Sequence, residues 1–287
     1  MAPWAFHRFD EVSVLTQAEK AAAFRALHSR DGAFIIPNPW NIGTARLLAD
    51  AGFEALATTS AGYAFSVGRA DGTIGRDETM AHVAAIVSAT DLPVSADLED
   101  GFGDDAETVA ETIRFGAEAG LVGGSIEDAP SRTGGGPYAL AHAVDRIRAA
   151  ADAVRQLAFP FTLTARAENY LIGRPDLRDT IARLQAFQNA GADVLYAPGL
   201  KTAEDIATVV RSVDRPVNVV MGLRGAQLSL ATLSALGVKR ISVGSALARA
   251  ALGAFLRAAR EMRDEGTFAF TAEAVSYRDI STRLASK

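Results

Sequence analysis

The sequence lacks cysteine altogether, and it contains only four histidines and four lysines among its 287 residues. Without cysteine the chain cannot form a disulfide, a thiolate-ligated metal centre, a thiol nucleophile or a thiol acid. The histidines do not lie beside acidic or hydroxyl clusters, which disfavours a histidine-centred triad and a histidine-rich metal site. No lysine lies within an apolar strand as a Schiff-base lysine would, although Lys201 comes closest. Any catalysis by this chain must therefore be thiol-free.

The chain also lacks an excess of basic residues and any long hydrophobic run. Its 29 Lys and Arg residues against 34 Asp and Glu residues give a formal net charge of −5, which offers no basic surface to a phosphate backbone. No apolar run approaches the roughly 18 to 20 residues that a membrane helix needs, and the first residues do not follow the charged-then-apolar order of a signal peptide. We therefore expect a cytoplasmic protein without a nucleic-acid or membrane partner.

What the chain does contain is a regular alternation of short apolar runs and helical stretches. Eight runs end in polar residues, and they begin at Gly32, Gly52, Pro93, Gly120, Pro160, Gly191, Pro216 and Gly237. Such alternation is typical of a parallel sheet covered by helices. Eight regularly spaced units predict an α/β fold of the (β/α)8 TIM-barrel type, and an open doubly wound sheet is the alternative.

The helix ends and the even composition indicate one barrel domain. Ala119-Gly120, Ala190-Gly191 and Leu236-Gly237 each place a glycine after an apolar helix end, where it can adopt the left-handed conformation of a C-cap. No linker divides the chain, so residues 1–287 are predicted to form a single domain, with the barrel core at about 32–263 and a C-terminal extension at about 264–287. Within the extension, residues 271–284 are predicted to form either a packed additional helix or a frayed tail.

Polar residues concentrate at the ends of the third, fourth and fifth runs. Asp97 and Glu99 are two residues apart, so their carboxylates would point to the same side while the strand lasts. The fourth run ends in Glu127, and the fifth ends in Arg166 and Glu168. Because the active sites of parallel barrels lie at the carboxyl ends of the strands, we expect these side chains to converge. An isolated acidic run, by contrast, is more often a solvated loop.

Converging carboxylates and an arginine favour one kind of chemistry. Three carboxylates facing one small volume repel one another, and a hard divalent cation bound through oxygen relieves that repulsion. With neither a suitable His nor a Cys available, Mg²⁺ or Mn²⁺ is the natural ion. An arginine opposite the ion would bind a carboxylate or a developing enolate oxygen. The pattern therefore predicts a site that stabilises negative charge on a small 2-oxo acid.

Five segments carry a resemblance to a known family. They are residues 58–63, Asp71 after Gly68, and residues 97–103, 126–128 and 165–168. In order, spacing and strand assignment they resemble the isocitrate lyase and phosphoenolpyruvate mutase superfamily over residues 33–244. The resemblance implies a TIM barrel of that type. It also implies a homo-oligomer, a dimer or a tetramer, in which the last helix is often exchanged between subunits; residues 271–284 are our candidate for that helix.

The resemblance further implies how the acidic residues divide their roles. The family's D-x-D-x-G-[YF]-G motif falls on residues 97–103, with Glu99 replacing the second Asp. Asp97 and Glu127 would hold Mg²⁺ directly or through water, with Glu99 and Asp71 beside them. The candidate metal residues are therefore Asp97, Glu99 and Glu127, and Glu127 and Asp71 are also candidate catalytic residues.

On the substrate side, the resemblance implies that Thr59, Ser60 and Ala61 present hydroxyl and backbone N–H groups to a substrate carboxylate. Arg166 matches the family arginine that contacts the carboxylate or enolate oxygen of the substrate, and Glu168 would orient it. Further candidates to wall or shape the pocket, each of which could instead be an ordinary rim or core side chain, are Trp40, Tyr63, Tyr196, Asn218 and Met221.

The loop after the fourth strand departs from the family pattern. Superfamily lyases that cleave isocitrate or methylisocitrate carry K-K-C-G-H there, and their cysteine protonates the leaving carbanion. In this chain residues 130–138 contain no Cys, Lys or His, and a hydroxyl is a far weaker acid than a thiol, which disfavours that reaction by the usual route. The loop lysine and asparagine of the phosphoenolpyruvate mutase branch are also missing. Gly134, Gly135 and Gly136 fit either a lid or an ordinary surface loop.

Three other patterns were weighed for function. Residues 101–106 satisfy G-x-G-x-x-A after a strand, but Asp104 and Asp105 would repel a pyrophosphate at the following helix N-terminus. Residues 97–101 do not match an EF-hand loop, because the Gly comes too early and no bidentate Glu follows. Lys239 and Arg240 precede the eighth strand, which predicts that both lie on the opposite, stability face of the barrel.

These observations predict a Mg²⁺-dependent carbon–carbon lyase or decarboxylase. Its substrate would be a small 2-oxo dicarboxylic acid or a related 2-hydroxy acid, which reacts through an enolate that the metal stabilises. Two alternatives stay open. One is cleavage or transfer at a phosphorus–carbon bond, as in phosphonopyruvate mutase or hydrolase, and the missing loop Lys and Asn weaken it. The other is a non-catalytic 2-oxo acid binding protein that keeps the metal site.

Overall fold

The structure is a computed structural model that describes residues 15–130, 135–223 and 227–285. Eight short parallel strands form its centre. They are β1 (Phe34–Ile36), β2 (Leu56–Ala57), β3 (Val94–Asp97), β4 (Gly123–Glu127), β5 (Thr162–Arg166), β6 (Val194–Tyr196), β7 (Val217–Val220) and β8 (Arg240–Ser242). Each of the eight predicted apolar runs contains one of these strands, so the strand prediction is confirmed.

The order of the strands distinguishes a barrel from an open sheet. Neighbours in sequence are neighbours in space from β2 to β8, and β8 pairs in parallel with β1, Phe34 lying opposite Arg240. The remaining junction, between β1 and β2, is bridged by a backbone hydrogen bond from the N–H of Ala57 to the carbonyl of Pro37 at 3.1 Å. The sheet therefore curls round on itself, and the (β/α)8 prediction is confirmed over the open doubly wound alternative.

Helices alternate with the strands and cover the outside of the barrel. They are α1 (Gln17–Ser29), α2 (Ile42–Asp50), α3 (Ser60–Ser66), α4 (Arg76–Ser88), α5 (Ala106–Glu118), α6 (Leu140–Arg155), α7 (Leu177–Ala190), α8 (Ala203–Arg211), α9 (Leu230–Ala235), α10 (Ala246–Asp264) and α11 (Tyr277–Ala285). The glycines expected to end three of the helical segments, Gly120, Gly191 and Gly237, have positive φ of 95°, 114° and 87°. Those left-handed positions are confirmed.

Helix α1 was not predicted, although the sequence carries its start signal. Thr16 and Glu19 form a reciprocal capping box, in which the Thr16 side chain accepts from the Glu19 N–H and the Glu19 carboxylate accepts from the Thr16 N–H. The helix closes the amino-terminal end of the barrel with Phe24, which is fully buried and packs edge-on against Phe34. Chemistry is thereby confined to the opposite end of the barrel.

The side chains of the strands alternate between the helices and the barrel interior. On β5, Leu163 and Ala165 belong to the apolar core beneath the helices, whereas Thr164 and Arg166 point inward. Arg240 also lies inside the barrel and is only 5% exposed, because it is the first residue of β8. Its predicted place on the outer amino-terminal face was wrong, while Lys239, which precedes the strand, is half-buried and donates to the carbonyl of Arg30.

The C-terminal segment is not one helix over residues 271–284. It forms a 3₁₀ turn at Ala269–Glu273 and then α11, which packs against α2 of the same chain and contributes an ion pair between Arg283 and Asp50 at 2.6 Å. The helix with the most exposed apolar surface is instead α10, of which only Ala248 is buried. Within the described ranges, no helix combines the length and the apolarity needed to cross a membrane.

Candidate active site at the carboxyl end of the barrel

A cavity of about 470 Å³ opens at the carboxyl ends of the strands. It is the place where a parallel barrel gathers side chains from several strands and the loops that follow them. Ten of the predicted site residues line it: Thr59, Ser60, Ala61, Asp71, Asp97, Glu99, Glu127, Arg166, Glu168 and Tyr196. The convergence expected from the strand-terminal positions is therefore present in the structure.

Arg166, the last residue of β5, occupies the centre of this constellation. Its Nη1 lies 3.1 Å from Asp97 Oδ1 and 2.8 Å from Glu127 Oε1, and its Nε donates to Glu168 Oε1 at 2.8 Å. The face of the Tyr196 ring lies 4.9 Å from the guanidinium carbon. All three acidic partners and the arginine are largely buried, so these charge-assisted contacts fix the guanidinium in one orientation.

Asp97 links the third strand to the turn that follows β2. Ser60 donates its hydroxyl to Asp97 Oδ2 at 3.0 Å, and its backbone N–H approaches the same oxygen at 3.4 Å. The Asp97 N–H in turn donates to Thr58 Oγ1. Thr59 is the N-cap of α3 and accepts from the Gly62 N–H, so its hydroxyl oxygen is used in holding the turn. The turn thus positions Asp97 as well as lining the cavity.

Glu99 reaches the cavity by a different route from the one predicted. Strand β3 ends at Asp97, and Glu99 has a positive φ of 48°, so the two-residue alternation that would align the two carboxylates has already ended. The same turn contains Gly101 and Phe102 with φ of 76° and 66°. Two non-glycine residues in the left-handed region mark a backbone held under strain by its surroundings. Glu99 is nevertheless buried and lines the cavity.

The group that holds this turn is Arg146 of α6, which sequence reasoning missed. Arg146 is fully buried, and its guanidinium donates to the carbonyls of Asp100, Gly103 and Glu127. The ring of Tyr138 covers the guanidinium at 4.3 Å. One side chain therefore ties the turn after β3 to the end of β4. The only hint in the sequence is a charged residue on the apolar side of α6, between buried Ala143 and Ile147.

A second arginine, Arg183 of α7, fixes the start of the loop after β4. It donates to Asp128 Oδ2 at 3.1 Å and to the Tyr138 carbonyl at 2.9 Å, and it pairs with Asp179 at 2.7 Å. Asp128 in turn accepts from the backbone N–H of Glu168 at 2.8 Å. The loop of residues 130–138, for which a lid and an ordinary surface loop were both open, lies partly outside the described residues, since residues 131–134 are not among them. Its flanking residues Pro130 and Gly135 line the cavity.

Burial dominates the electrostatics of the two glutamates that flank Arg166. It raises the pKa of Glu127 well above the usual carboxyl value, and the charges of Glu168, Asp97 and Glu99 add to the rise while Arg166 opposes it. The pKa of Glu168 is raised for the same leading reason. Three carboxylates therefore contact Arg166, and Glu99 lines the same cavity. The four acidic groups outnumber the one arginine, so the site as a whole favours an additional positive charge.

The donor set fits a hard divalent cation bound with few direct ligands. Across residues 15–130, 135–223 and 227–285, no group of three or more His, Asp or Glu side chains is arranged to hold a metal by itself. Mg²⁺ does not need such a group, because it usually binds through one or two carboxylates and keeps several waters. Asp97 and Glu127 supply carboxylate oxygens on adjacent strands, and together with Glu99 and Glu168 they outnumber the single Arg166.

Three of the expected substrate contacts are not supported by the geometry. Tyr63 stacks on His82, with ring centroids 3.8 Å apart, and does not line the cavity. Trp40 lies against the start of α3, where a Cβ added to Gly62 would come within 3.2 Å of the Trp40 Cβ. Asn218 sits deeper in the barrel and donates to Ser242 Oγ at 3.0 Å. Asn218 is fully buried among scaffold groups, whereas Trp40 and Tyr63 are half-buried outside the cavity lining.

Comparison with known proteins places this geometry in a family. The phosphoenolpyruvate phosphomutase family profile matches residues 24–263. An uncharacterised protein of Mycobacterium tuberculosis H37Rv is 30% identical over 91% of this chain and 96% of its own length. The 2-methylisocitrate lyase of Halalkalibacterium halodurans is 26% identical over 93% and 88%. The oxaloacetate decarboxylase of Chromohalobacter salexigens is 28% identical over 84% of each chain.

Solved structures agree with the sequence comparison. A crystal structure from Burkholderia cenocepacia J2315, classed provisionally as a lyase/mutase, is 68% identical, covers 94% of this chain and 97% of its own, and superposes with a TM-score of 0.92. A 2,3-dimethylmalate lyase, itself a superfamily member, is 27% identical with a TM-score of 0.82 over 93% and 94% of the two chains. The chain therefore belongs to the phosphoenolpyruvate phosphomutase family within the isocitrate lyase and phosphoenolpyruvate mutase superfamily.

Proposed function

We propose that the chain is a cytoplasmic, Mg²⁺- or Mn²⁺-dependent enzyme that makes or breaks a carbon–carbon bond in a small 2-oxo dicarboxylic acid or a related 2-hydroxy acid through an enolate. Superfamily relatives are carbon–carbon lyases or related enzymes, and members generally use a divalent metal ion. The observation that carries the proposal is the buried guanidinium of Arg166, fixed by Asp97, Glu127 and Glu168 on the floor of the cavity. Negative charge that develops on a substrate oxygen there meets a cation already oriented for it.

Each part of the cavity has a separate task in this proposal. Asp97 and Glu127 would hold the divalent ion, which when bound supplies Lewis-acid stabilisation of negative charge on substrate oxygens. Arg166 binds the carboxylate or enolate oxygen of the substrate, and Glu168 fixes the orientation of the Arg166 guanidinium through the contact to Nε. The turn that begins at Ser60 closes the side of the cavity next to Asp97 and would receive the far carboxylate of the substrate.

The reaction type follows from what the chain lacks. No cysteine is available to protonate a carbanion, so an efficient retro-aldol cleavage needs another acid. Decarboxylation asks less of the protein, because loss of CO₂ leaves an enolate that solvent can protonate. The similarity to an oxaloacetate decarboxylase and to a 2-methylisocitrate lyase supports both variants as reactions of the same site. We place decarboxylation or hydrolysis of a 2-oxo diacid beside C–C cleavage for that reason.

Calorimetry with oxalate, a planar mimic of a pyruvate enolate, tests this proposal. We expect oxalate to bind in the presence of Mg²⁺ and to bind at least about tenfold more weakly in EDTA. The reason is that its two negative charges are balanced by the Mg²⁺ ion together with the Arg166 guanidinium. Arg148→Met, which removes an exposed arginine paired with Asp145 on the outside of α6, should bind oxalate as the wild type does. Equal oxalate affinity with and without Mg²⁺ would contradict the proposal. Tight binding without turnover of any 2-oxo acid would favour a non-catalytic binding protein instead.

Phosphorus–carbon chemistry is the second candidate, and the family profile favours it. The same arginine and divalent ion would serve a phosphonopyruvate substrate, because cleavage of its phosphorus–carbon bond leaves the enolate of pyruvate. The missing loop lysine and asparagine weigh against it. Phosphorus NMR decides the matter, because a phosphonopyruvate spectrum that stays unchanged over hours in the presence of enzyme and Mg²⁺ removes this candidate.

The turn after β3 should depend on Arg146 for its function. Arg146→Met removes three donors from the carbonyls of Asp100, Gly103 and Glu127, which frees Asp97 and Glu99 to shift. We expect the affinity for Mn²⁺, measured by electron paramagnetic resonance, to fall about 10–100-fold while Arg148→Met leaves it unchanged. Unaltered Mn²⁺ affinity in a folded Arg146→Met variant would show that the turn holds its shape without the clamp.

The raised pKa of Glu127 predicts a pH dependence with a definite sign. A carboxyl whose pKa is raised by folding stabilises the folded state below its unfolded pKa of 4.5, and that contribution is lost as pH rises through the folded pKa. In EDTA we therefore expect the unfolding midpoint of the wild type to fall, relative to Glu127→Gln, as the pH rises above 4.5. Mg²⁺ should reverse the trend, since it binds the ionised form. Parallel midpoints of the two proteins across this range would refute the assignment.

The exposed face of α10 supports the proposal of a homo-oligomer. Leu252, Phe255 and Leu256 lie along one stripe of the helix and are 39%, 66% and 50% exposed, respectively. By resemblance, the last barrel helix is exchanged between subunits, and α10 suits that role better than α11, which contacts α2 of its own chain. The contact would bury this stripe in a dimer or a tetramer.

Substitution of Phe255 tests this arrangement. Because a buried charge at the interface is costly, Phe255→Glu should shift the wild-type oligomer to a monomer near 30.1 kDa by light scattering, with the barrel still folded. The control is Tyr277→Glu, which changes a residue that is 88% exposed on α11. A wild-type protein that is already monomeric at micromolar concentration would contradict the oligomer.

A further inference from the structure

Arg240 is a buried cation that the active site does not use. It begins β8 and points into the lower part of the barrel, where it is 5% exposed. Its Nε donates to Asn218 Oδ1 at 2.9 Å, and its Nη2 donates to Thr164 Oγ1 at 2.9 Å. The third nitrogen, Nη1, is buried and has no hydrogen-bond partner in the described part of the chain. Both bonds are to neutral groups, so neither compensates the charge.

No carboxylate of the described residues compensates Arg240 either. Among residues 15–130, 135–223 and 227–285, no Asp or Glu oxygen forms an ion pair with it, whereas Arg166 pairs with three acids and Arg183 with two. An unpaired charge in a protein interior costs several kcal/mol, and a protein ordinarily relieves it by a counter-charge. Burial lowers the pKa of Arg240 to about 10, which leaves the group charged at neutral pH.

A second cavity, which we call the interior cavity, lies next to this arginine. It has a volume of about 50 Å³ and adjoins the larger cavity at the barrel mouth, with which it shares Asp97, Arg166 and Tyr196 as lining residues. Beside Arg240 its lining is rich in neutral hydrogen-bonding groups, namely Thr58, Ser95, Ser125, Asn218 and Ser242. Asp97 also borders it, but that carboxylate is already engaged by Arg166 and Ser60. The space is large enough for a small ion or a few waters and too small for phosphate with its hydration.

The positive charge of Arg240 also affects His28 of α1. His28 of α1 is buried, and its Nδ1 bonds to the Phe24 carbonyl while its Nε2 has no hydrogen-bond partner among the described residues. Burial lowers the pKa of His28 to about 3, and the charge of Arg240 contributes to the shift. The charge of Arg240 therefore acts on His28 as well.

We propose that the interior cavity binds a small monovalent inorganic anion of chloride size as the counter-ion of Arg240. The anion accepts from Nη1 and from the surrounding hydroxyl groups, and it balances the guanidinium charge among buried side chains. Water alone would complete the hydrogen bond of Nη1 but would leave the charge unbalanced. The site belongs to the folded barrel, because its walls come from all eight strands and the residues that follow them, so the anion binds the folded state and not the unfolded chain.

Thermal unfolding at constant ionic strength tests the proposal in solution. Sodium gluconate is replaced stepwise by sodium chloride or sodium bromide. We expect the wild-type midpoint to rise by about 4 °C for a hundredfold rise in halide above its dissociation constant. Arg240→Met should show no halide-specific rise, and Lys239→Met, which removes the half-buried cation just before β8, should behave as the wild type. A wild-type midpoint that does not respond to halide, or an equal response in Arg240→Met, overturns the proposal.

Crystallography of the wild type gives a test that needs no variant to fold. Crystals grown without halide are soaked in sodium bromide and measured at the bromine absorption edge. An anomalous peak in the interior cavity, within hydrogen-bond distance of Arg240 Nη1, is the expected result. Density that carries no anomalous signal identifies water in the cavity and overturns the proposal. The outcome is independent of the reaction proposed for the larger cavity.

Discussion

Replacing Arg166 with methionine is expected to abolish oxalate binding and to lower the free energy of unfolding by about 3–5 kcal/mol at neutral pH. The substitution leaves Asp97, Glu127 and Glu168 facing one another in a buried space without the cation that now contacts all three. Urea unfolding in EDTA measures the loss of stability, and calorimetry with oxalate and Mg²⁺ measures the loss of binding. In terms of affinity, the missing charge-assisted contacts should cost at least about a hundredfold.

Two controls separate this effect from a general loss of packing. Arg148→Met removes an exposed arginine whose pair with Asp145 is solvated on both sides, and it should change stability by less than about 1 kcal/mol. The cost of Arg166→Met should also shrink as the pH falls, because burial already raises the pKa of Glu127 and Glu168 and their neutral forms no longer need the arginine. Retention of oxalate affinity by folded Arg166→Met would remove Arg166 from the substrate site.

Replacing Asp97 with asparagine is expected to lower the affinity for Mn²⁺ by at least about a hundredfold while the barrel stays folded. The amide keeps Oδ1 as the acceptor for Arg166 Nη1 at 3.1 Å, and the NH₂ group that replaces Oδ2 can donate to the Ser60 hydroxyl oxygen in place of the 3.0 Å bond that Asp97 accepts. What disappears is the negative charge that a hard divalent cation requires. Titration of Mn²⁺ followed by electron paramagnetic resonance measures the affinity, and the Mg²⁺-induced rise in the unfolding midpoint should vanish with it.

The matched control for this substitution is Asp145→Asn, which removes an exposed carboxylate on α6. It should leave both the Mn²⁺ affinity and the Mg²⁺ response at wild-type values. If Asp97→Asn also leaves them unchanged, the divalent ion binds elsewhere or not at all, and Asp97 serves only as a partner of Arg166. The activity of Asp97→Asn toward any substrate that the wild type turns over should then be unaffected as well.

The barrel could be predicted because its signals are local and repeated. A strand buried on both faces reads as a short apolar run, and a glycine such as Gly191 marks the end of the helix before it. Helices α1 and α3 were not predicted, for two different reasons. Helix α1 precedes the first apolar run, where no alternation with a strand indicates it, and α3 begins at Ser60, in a segment that we interpreted as a substrate-binding turn.

The strand-terminal site residues could be predicted for a similar reason, since position on a parallel strand fixes the end of the barrel at which a side chain lies. Arg146 and Arg183 could not, because their roles depend on how α6 and α7 pack against the loops after β3 and β4. Arg240 shows how sensitive such reasoning is to register. Placing the start of β8 one residue too late moved this side chain from the barrel interior to its outer rim.

Proton NMR in D₂O, with purified enzyme, Mg²⁺ and a panel of 2-oxo acids that includes pyruvate and oxaloacetate, tests most directly whether the site forms an enolate. We expect the C3 protons of at least one of these acids to exchange with deuterium, or its carbon–carbon bond to break, faster than without enzyme. We also expect EDTA, Arg166→Met and Asp97→Asn each to abolish the effect. C3 signals that remain at the enzyme-free rate for every acid, with Mg²⁺ present and the wild-type protein folded, would contradict it.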